Sequence, residues 1–184
     1  MKKTVWKRVL CLLCIFVFLA MCCACEKKSE EDSYNLFDNG LIRVCKDEKW
    51  GYADTDGKVV INPQFDEARP FAENGYAVVQ VGEKWGCIDK QGNYIINPQY
   101  EGMGDFAKNG LALAMKDGKY GYIDQTGAVV IDFQFDDASE FYDDGYATVI
   151  TGKQVGVIDA KGQYLINPLY DQIEYYYYWD WKYD

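Results

Sequence analysis

The residues best placed to bind a ligand in this sequence are aromatic and lie near its C-terminus. Six aromatic residues fall within positions 175–181. Exposed aromatic faces stack on sugar rings, and the candidates for such binding are Tyr175, Tyr177, Trp179 and Trp181. The alternative is a final edge strand whose rings close the hydrophobic core. We favour the second interpretation because large aromatic side chains are mostly used in packing.

Carboxylates are the second group of residues with possible chemistry. Asp-x-x-Gly turns recur along the chain, and Asp54-Thr55-Asp56-Gly57 has enough oxygens to suggest calcium. Only this copy has the second aspartate, and the needs of a turn explain Asp and Gly without a metal. The acid pairs at 136–137 and 143–144 resemble glycosidase carboxylates in type alone, because adjacent acids in a connector are usually solvated. We therefore predict no metal site and no catalytic residue.

Histidine is absent from all 184 residues. Its absence removes the most common general base, the Ser-His and Cys-His nucleophile pairs, and the most common zinc ligand. We expect a protein that is not an enzyme and has no cofactor. Beyond residue 25 the thiols are Cys45 and Cys87, which could pair in an oxidising compartment. Two buried free thiols are the favoured alternative.

These residues sit on a repeat with a period of 35 residues. The glycine that follows an aromatic or apolar residue recurs at Gly51, Gly86, Gly121 and Gly156. A turn glycine keeps the same step at Gly57, Gly92, Gly127 and Gly162. An Asn-Pro pair stands at 62–63, 97–98 and 167–168, and Asp-Phe replaces it in the third copy. Self-similarity at such a period indicates tandem copies of one supersecondary unit.

Each copy is predicted to be a three-stranded antiparallel meander. Asp-Gly and Gly-x breaks suit type I′ and II′ hairpins between the first two strands, and Asp-x-x-Gly suits a type I turn before the third. The third strand should end at Asn-Pro, because proline cannot donate to the ladder. A connector of about a dozen residues, which carries aromatic residues, then leads to the next copy.

Both faces of the middle strand are apolar, which indicates sheets stacked face to face. Trp85 and Cys87 alternate with Gly86 and Ile88 in the second copy. The glycine would let a side chain of a neighbouring sheet approach the backbone. A ladder of ligand-binding aromatics at Trp50, Trp85 and Tyr120 is the alternative, but burial beside glycine is favoured.

The pattern Lys84-Trp85-Gly86, followed by Asp-x-x-Gly, an apolar triplet and Asn-Pro, resembles the WG-repeat (KWG-type) family of bacterial proteins. The resemblance covers about residues 36–178, although Tyr120-Gly121 and Val155-Gly156 depart from Trp-Gly. It implies an all-β repeat protein, often exported, with no established catalytic residues. The predicted fold is all-β, a tandem array of four three-stranded meanders, arranged as a propeller-like ring or an open superhelical stack.

Residues 1–24 have the pattern of a secretory signal. A basic start precedes 16 uncharged residues, Val9 to Ala24, and then Cys25. The segment resembles a bacterial lipoprotein signal with Cys25 as the lipidated residue, and Cys22 is the rival position. An uncleaved anchor or a soluble secreted product are the other possibilities. All of them predict repeats outside the cytoplasm, and lipidation predicts a membrane anchor.

The predicted organisation is a signal at 1–24, a flexible linker at 25–35, repeats over 36–178 and an aromatic tail or cap at 179–184. The copies run over about 40–74, 75–109, 110–144 and 145–178. Removing the four basic residues of 1–24 leaves 15 basic and 29 acidic residues, a net charge of −14. Such a surface argues against nucleic acid as a partner. The predicted function is a non-catalytic surface lipoprotein that acts as an interaction module for a protein or glycan. The alternative is a carbohydrate or cell-wall binder that uses the C-terminal aromatics.

Overall fold

The computed structural model describes residues 38–173. It is all-β apart from a 3₁₀ turn at Asp38–Gly40, and none of its helical segments is long and apolar enough to cross a membrane. The predicted signal, linker and tail at 179–184 lie outside the described residues. The predicted tandem array of antiparallel meanders is confirmed.

The described residues contain fifteen strands in four antiparallel sheets, and strands that are neighbours in sequence are neighbours in each sheet. The first sheet contains β1 (Leu41–Lys46), β2 (Lys49–Asp54) and β3 (Val59–Phe65). The second contains β4 (Glu67–Ala68), β5 (Ala77–Val81), β6 (Lys84–Ile88) and β7 (Tyr94–Tyr100). The third contains β8 (Gly102–Phe106), β9 (Ala112–Lys116), β10 (Lys119–Ile123) and β11 (Val129–Phe135). The fourth contains β12 (Asp137–Ala138), β13 (Tyr146–Thr151), β14 (Gln154–Asp159) and β15 (Tyr164–Tyr170).

The connectors supply a fourth strand that the sequence pattern does not predict. Glu67 and Ala68 pair with Gln80 and Val79, and the third and fourth sheets gain β8 and β12 in the same way. Strands β4 and β12 have two residues each, which is too short to show alternation, so no periodic signal exists for them. Each connector therefore begins the next sheet instead of only leading to it.

The turns follow the predicted chemistry. Asp117 and Gly118 both have positive φ, as a type I′ hairpin requires, and Gly82 has a φ of 60° at the first position of its two-residue turn. In the second turn of each unit, the aspartate backbone carbonyl accepts a hydrogen bond from the glycine three residues later, as in Gly92 N to Asp89 O at 3.0 Å. The Asp89 side chain also accepts hydrogen bonds from the backbone of Gln91 and Asn93.

The expectation that the third strand ends at Asn-Pro is wrong. Strand β7 continues through Asn97-Pro98 to Tyr100, and its register with β6 shifts between Trp85 and Cys87. This bulge accommodates the proline, which needs no ladder partner where the pairing is interrupted.

The glycine after the tryptophan faces this bulge. A Cβ on Gly86 would lie 2.5 Å from the carbonyl oxygen of Ile96 and 2.7 Å from the nitrogen of Pro98. The close approach thus comes from the backbone of the adjacent strand in the same sheet. The predicted approach of a side chain from a neighbouring sheet is wrong. Trp-Gly and Asn-Pro are two halves of one local packing arrangement.

The sheets bury both faces of the middle strand, as predicted. Three clusters of buried residues in the described part of the chain each combine side chains from two consecutive sheets. Between the first two sheets, Ile61 and Phe65 pack with Ala68, Phe71 and residues of the second sheet. The same positions recur in the later clusters, so each unit completes the core of the unit before it.

Candidate functional site

The sequence-predicted site residues Cys25, Tyr175, Tyr177, Trp179 and Trp181 lie outside the described residues. The structure therefore offers its own candidates, which lie along one edge of the array and at its C-terminal end.

The aromatic positions of the repeat do not form a bare ligand ladder. Trp50, Trp85 and Tyr120 are half-buried and pack against the cores. The Arg43 guanidinium carbon lies 5.2 Å from the centre of the Trp50 ring, and that of Arg69 lies 5.8 Å from Trp85. Both indoles thus face an arginine of this chain.

The carboxylates with predicted turn roles are confirmed in those roles. No group of three or more Cys, Asp or Glu side chains within 38–173 could hold a metal ion. In the acid pairs, Asp136 contacts Lys119 and the backbone of Gly152, and Asp143 contacts Lys108 at 2.5 Å. One acid of each pair therefore makes a surface contact between units.

The two thiols in the described residues are free. Cys87 is buried, as favoured, and burial raises the pKa of its thiol to about 12. Cys45 is exposed, so the expectation of burial is wrong for this residue. Its strand β1 has only β2 as a neighbour in the described first sheet, which leaves Cys45 at an edge.

A contact between a lysine, an acid and a backbone N–H group recurs between units, and the sequence analysis did not identify it. We call this contact the latch. The lysine before the aromatic contacts the acid that follows the third strand, in the pairs Lys49–Asp66, Lys84–Glu101 and Lys119–Asp136. The same acid accepts a backbone hydrogen bond from the hairpin turn of the next unit, from Gly82, Gly118 or Gly152. The fixed spacing of Lys and acid at all three sites could have revealed it.

The latch lowers the pKa of each of its three acids. The hydrogen bond from Lys119, followed by that from Gly152, lowers the pKa of Asp136. Lys49 and Gly82 lower the pKa of Asp66 in the same way, and the backbone of Gly118 lowers that of Glu101. These carboxylates are held ionised as structural acceptors.

Residues 66–70, 101–105 and 136–140 contain β4, β12 and most of β8, which are edge strands of their sheets. We call these residues the acidic edge. They carry seven carboxylates and one arginine, Arg69. Arg69 lies 3.3 Å from Asp105 and 4.0 Å from Glu140, which come from the next two units. Even after the three latch lysines are included, the edge has an excess of negative charge.

A notch of about 190 Å³ opens in the acidic edge at the third sheet. It is lined by Arg69, Gly104, Met115, Tyr120 and Glu140, among others. An ideal Cβ on Gly104 would overlap the Glu140 carboxylate oxygen Oε1, so this acid leans directly over the glycine.

A second, larger groove of about 520 Å³ lies on the fourth sheet. Its lining includes Leu165, Ile166, Leu169, Tyr170 and Ile173. Ile166 is 38% exposed, whereas the equivalent Ile61 is 3% exposed under the second sheet. Ile166 and Tyr170 thus belong to a face that the three earlier units bury and the fourth leaves open within the described residues, whereas Leu165 and Leu169 hold positions that are exposed in every unit.

The chain belongs to a family of β-repeat proteins, and the fold and repeat spacing agree with its model. The family, described as the WG containing repeat, matches residues 32–50, 50–85, 85–120, 120–153 and 156–178. No curated protein sequence matches the chain.

A solved structure shares the fold at low identity, and a second one matches with a lower score. The structure described as "KlHsv2 with loop 6CD replaced by a Gly-Ser linker" is 14% identical with a TM-score of 0.50, over 68% of this chain and 48% of that one. A protein of unknown function from Bacteroides caccae is also 14% identical, with a TM-score of 0.37, over 69% of this chain and 56% of that one. The chain thus spans about half the length of these structures, and the likeness to the first concerns the fold alone.

Proposed function

We propose that this chain is an exported, membrane-anchored lipoprotein whose repeats form a non-catalytic interaction module for a protein partner. The acidic edge is its binding surface. The N-terminal segment holds the module on the extracytoplasmic side of the membrane through a lipid on Cys25.

The acidic edge is the observation that carries this proposal. Three successive units place equivalent segments side by side, so that seven carboxylates come from separate parts of the sequence to one row of strands. Repeat arrays commonly use such extended surfaces for binding. A negatively charged row favours a partner with basic side chains, since opposite charges steer association and fix the register of the partners.

The anchor rests on the sequence pattern of residues 1–25. A lipid chain adds about 0.8 kcal/mol of membrane affinity for each buried CH₂ group, and stable attachment takes two chains. Labelled fatty acid should enter the wild-type protein and its Cys22→Ser variant in a bacterial host, whereas Cys25→Ser should not be labelled. Labelling of Cys25→Ser and not of Cys22→Ser would move the anchor to Cys22. No labelling of any variant would remove the lipid from the proposal.

The binding function is tested with the full-length protein in detergent, immobilised and exposed to envelope proteins of the bacterium that encodes it. A specific partner should be retained at low salt and released as the ionic strength rises, because screening weakens contacts between exposed charges. The double variant Glu67→Gln/Asp137→Asn should retain less of it. A chain without residues 174–184 is the control that keeps the acidic edge. Equal retention by the wild type and the double variant would exclude the edge as the binding surface.

Carbohydrate binding is the second candidate function, and the groove on the fourth sheet favours it. Apolar side chains form most of the groove lining, together with Asn167 and Gln172, and the lining includes Tyr170 and Ile173, the last described residue before the aromatic tail. Retention on cell-wall polysaccharide that is lost on deletion of 174–184, and kept in Glu67→Gln/Asp137→Asn, would support this candidate over the first. Loss of thermal stability without any change in retention would support the tail as a cap.

A further inference from the structure

We propose that the notch at Gly104, Tyr120 and Glu140 is a binding site for a guanidinium group, which an arginine side chain of a partner would supply. The proposal rests on the proposed interaction function and names the chemistry that one point of the acidic edge recognises.

The argument begins with the second unit, where the same place is filled. Arg69 follows β4, its guanidinium carbon lies 5.8 Å from the centre of the Trp85 ring, and its NH1 nitrogen lies 3.3 Å from Asp105. The guanidinium therefore contacts an aromatic ring of its own unit and a carboxylate of the next unit. Both contacts favour a cation.

The third unit keeps the ring and the acid and lacks the cation. A step of 35 residues takes Arg69 to Gly104, Trp85 to Tyr120 and Asp105 to Glu140. Gly104, Tyr120 and Glu140 all line the notch of about 190 Å³. Water takes up about 30 Å³ per molecule in the liquid, so the notch has room for a group of a few heavy atoms. The volume that an arginine side chain fills in one unit is thus open in the next.

The charge of the notch also favours a cation. Among the residues that line it, Arg69 is the one cation, and the guanidinium already faces two carboxylates, Asp105 and Glu140. These three groups together carry one negative charge. An added guanidinium would neutralise it, whereas an added carboxylate would meet Glu140 over the glycine. Glu140 is about half exposed, so it can turn to meet a ligand that arrives from solvent.

Glycine at 104 is not required by the backbone. Its φ is not in the left-handed region, in contrast to the turn glycines of the chain. The Cβ of another residue would meet the end of the Glu140 side chain, which can move. The lack of a side chain at position 104 therefore leaves space at the surface but is not needed for the backbone conformation.

The test is an NMR titration of the full-length protein in detergent with N-acetyl-arginine amide. N-acetyl-citrulline amide has the same shape without the charge and is the control ligand. We expect shifts centred on the amides of Gly104 and Tyr120, with a preference for arginine of about tenfold in Kd. Equal affinity for the two ligands, or shifts centred elsewhere, would overturn the proposal.

Variants distinguish binding at the notch from attraction by the overall negative charge of the acidic edge. Gly104→Arg places the side chain of the second unit in the notch and should abolish the arginine-specific shifts while the thermal transition is kept. Glu140→Gln should remove the preference for arginine over citrulline, and Glu67→Gln, which removes one charge elsewhere on the edge, should leave it. If Gly104→Arg fails to fold, Glu140→Gln and Tyr120→Leu decide the matter alone. Unchanged arginine preference in both would contradict the site.

Failure of this proposal is distinguishable from failure of the proposed function. Retention of an envelope partner by the wild type together with no arginine preference would overturn the notch alone. An arginine preference together with no retained partner would leave the notch and overturn the interaction module.

Discussion

At the scale of single residues, the repeat signature is explained by backbone packing. Gly86 is required because the carbonyl of Ile96 and the nitrogen of Pro98 occupy the space of its Cβ. The sequence predicted that this glycine permits a close approach but not what approaches it. The reason is that a bulge in the adjacent strand leaves no periodic signal, and proline there indicated only the end of a strand.

Gly86→Ala should therefore destabilise the protein by about 3 kcal/mol, since the new methyl group meets backbone that cannot move away. The free energy of unfolding in urea measures the effect. Gly102→Ala is the matched control, because its Cβ would lie at an ordinary 3.5 Å from the Cβ of Met115. The control should cost less than about 1 kcal/mol. Equal effects of the two substitutions would refute the packing argument.

A second residue-scale feature is a pair of compensating changes of side-chain size in the core of the second unit. Tyr52 and Tyr122 are buried and donate hydrogen bonds to the carbonyls of Arg69 and Ser139, whereas Cys87 stands at the equivalent position. Met103 packs in the cluster that contains Cys87, where Ala68 and Ala138 stand in the other units. The larger methionine thus fills space that a tyrosine fills elsewhere.

Cys87→Tyr should destabilise the chain by about 2 kcal/mol through overpacking against Met103. Met103→Ala alone should cost about 3 kcal/mol because it leaves a cavity. The double variant restores the Tyr–Ala pair of the other units, so it should be more stable than the sum of the single effects by at least about 1 kcal/mol. Chemical denaturation of the four proteins measures this coupling, and strict additivity would contradict it.

At the scale of elements, the hairpins, the Asp-x-x-Gly turns and the stacking of two-sided sheets were predictable from period and turn chemistry. The short strands β4 and β12 were not, and the Lys–acid latch was missed although its fixed spacing recurs at all three sites. These two-residue strands form because the backbone of the following long strand lies close enough to pair with them, as in the pairing of Ala68 with Val79. The pairing is a tertiary effect that local sequence does not encode.

The latch should make stability depend on pH in the acid range. The folded state lowers the pKa of Asp136 below its ordinary value of 3.8, so the unfolded chain binds more protons as the pH falls through this range. The stabilisation by the latch is therefore complete above pH 3.8 and disappears as the pH drops through the lowered pKa. Asp136→Asn should lower the Tm by a few degrees at neutral pH.

Thermal melts over a pH series test this prediction. The difference in Tm between wild type and Asp136→Asn should shrink as the solution is acidified, because protonation gives the wild-type aspartate the same neutral character. Glu67→Gln removes a carboxylate outside the latch and is the charge-matched control. A difference that stays constant down to low pH would rule out the ionised latch.

At the scale of the whole molecule, each unit depends on the one that follows it. Ile61, Ile96 and Ile131 are buried, and each would lie 3.2–3.4 Å from a Cβ added to the turn glycine of the next unit, at Gly92, Gly127 and Gly162. Ile166 has no such neighbour among the described residues and is 38% exposed. The last unit also departs from the surface pattern, because Leu169 replaces the glutamine of positions 64, 99 and 134 and is 68% exposed.

We predict from the register of the repeat that residues 174–184 cover this face. Ile173 holds the position of Ala68, and three residues later Tyr176 holds that of Phe71, two side chains that cover Ile61 and Phe65 in the first core. Deletion of 174–184 should therefore lower the Tm. Ile166→Gln should cost about 2 kcal/mol more in the full-length chain than in the deleted one, because Ile166 holds the position of the buried Ile61, Ile96 and Ile131 and its predicted contact requires the tail.

The four proteins form a cycle that isolates this contact from any general effect of the tail. Val130→Gln is the control, because Val130 is 44% exposed on the third sheet at the position equivalent to Leu165. Its effect should be the same with and without the tail. If Ile166→Gln has the same effect in both backgrounds, the tail does not cover Ile166. The aromatic side chains of the tail would then be available to a sugar ligand, an outcome that the polysaccharide assay tests directly.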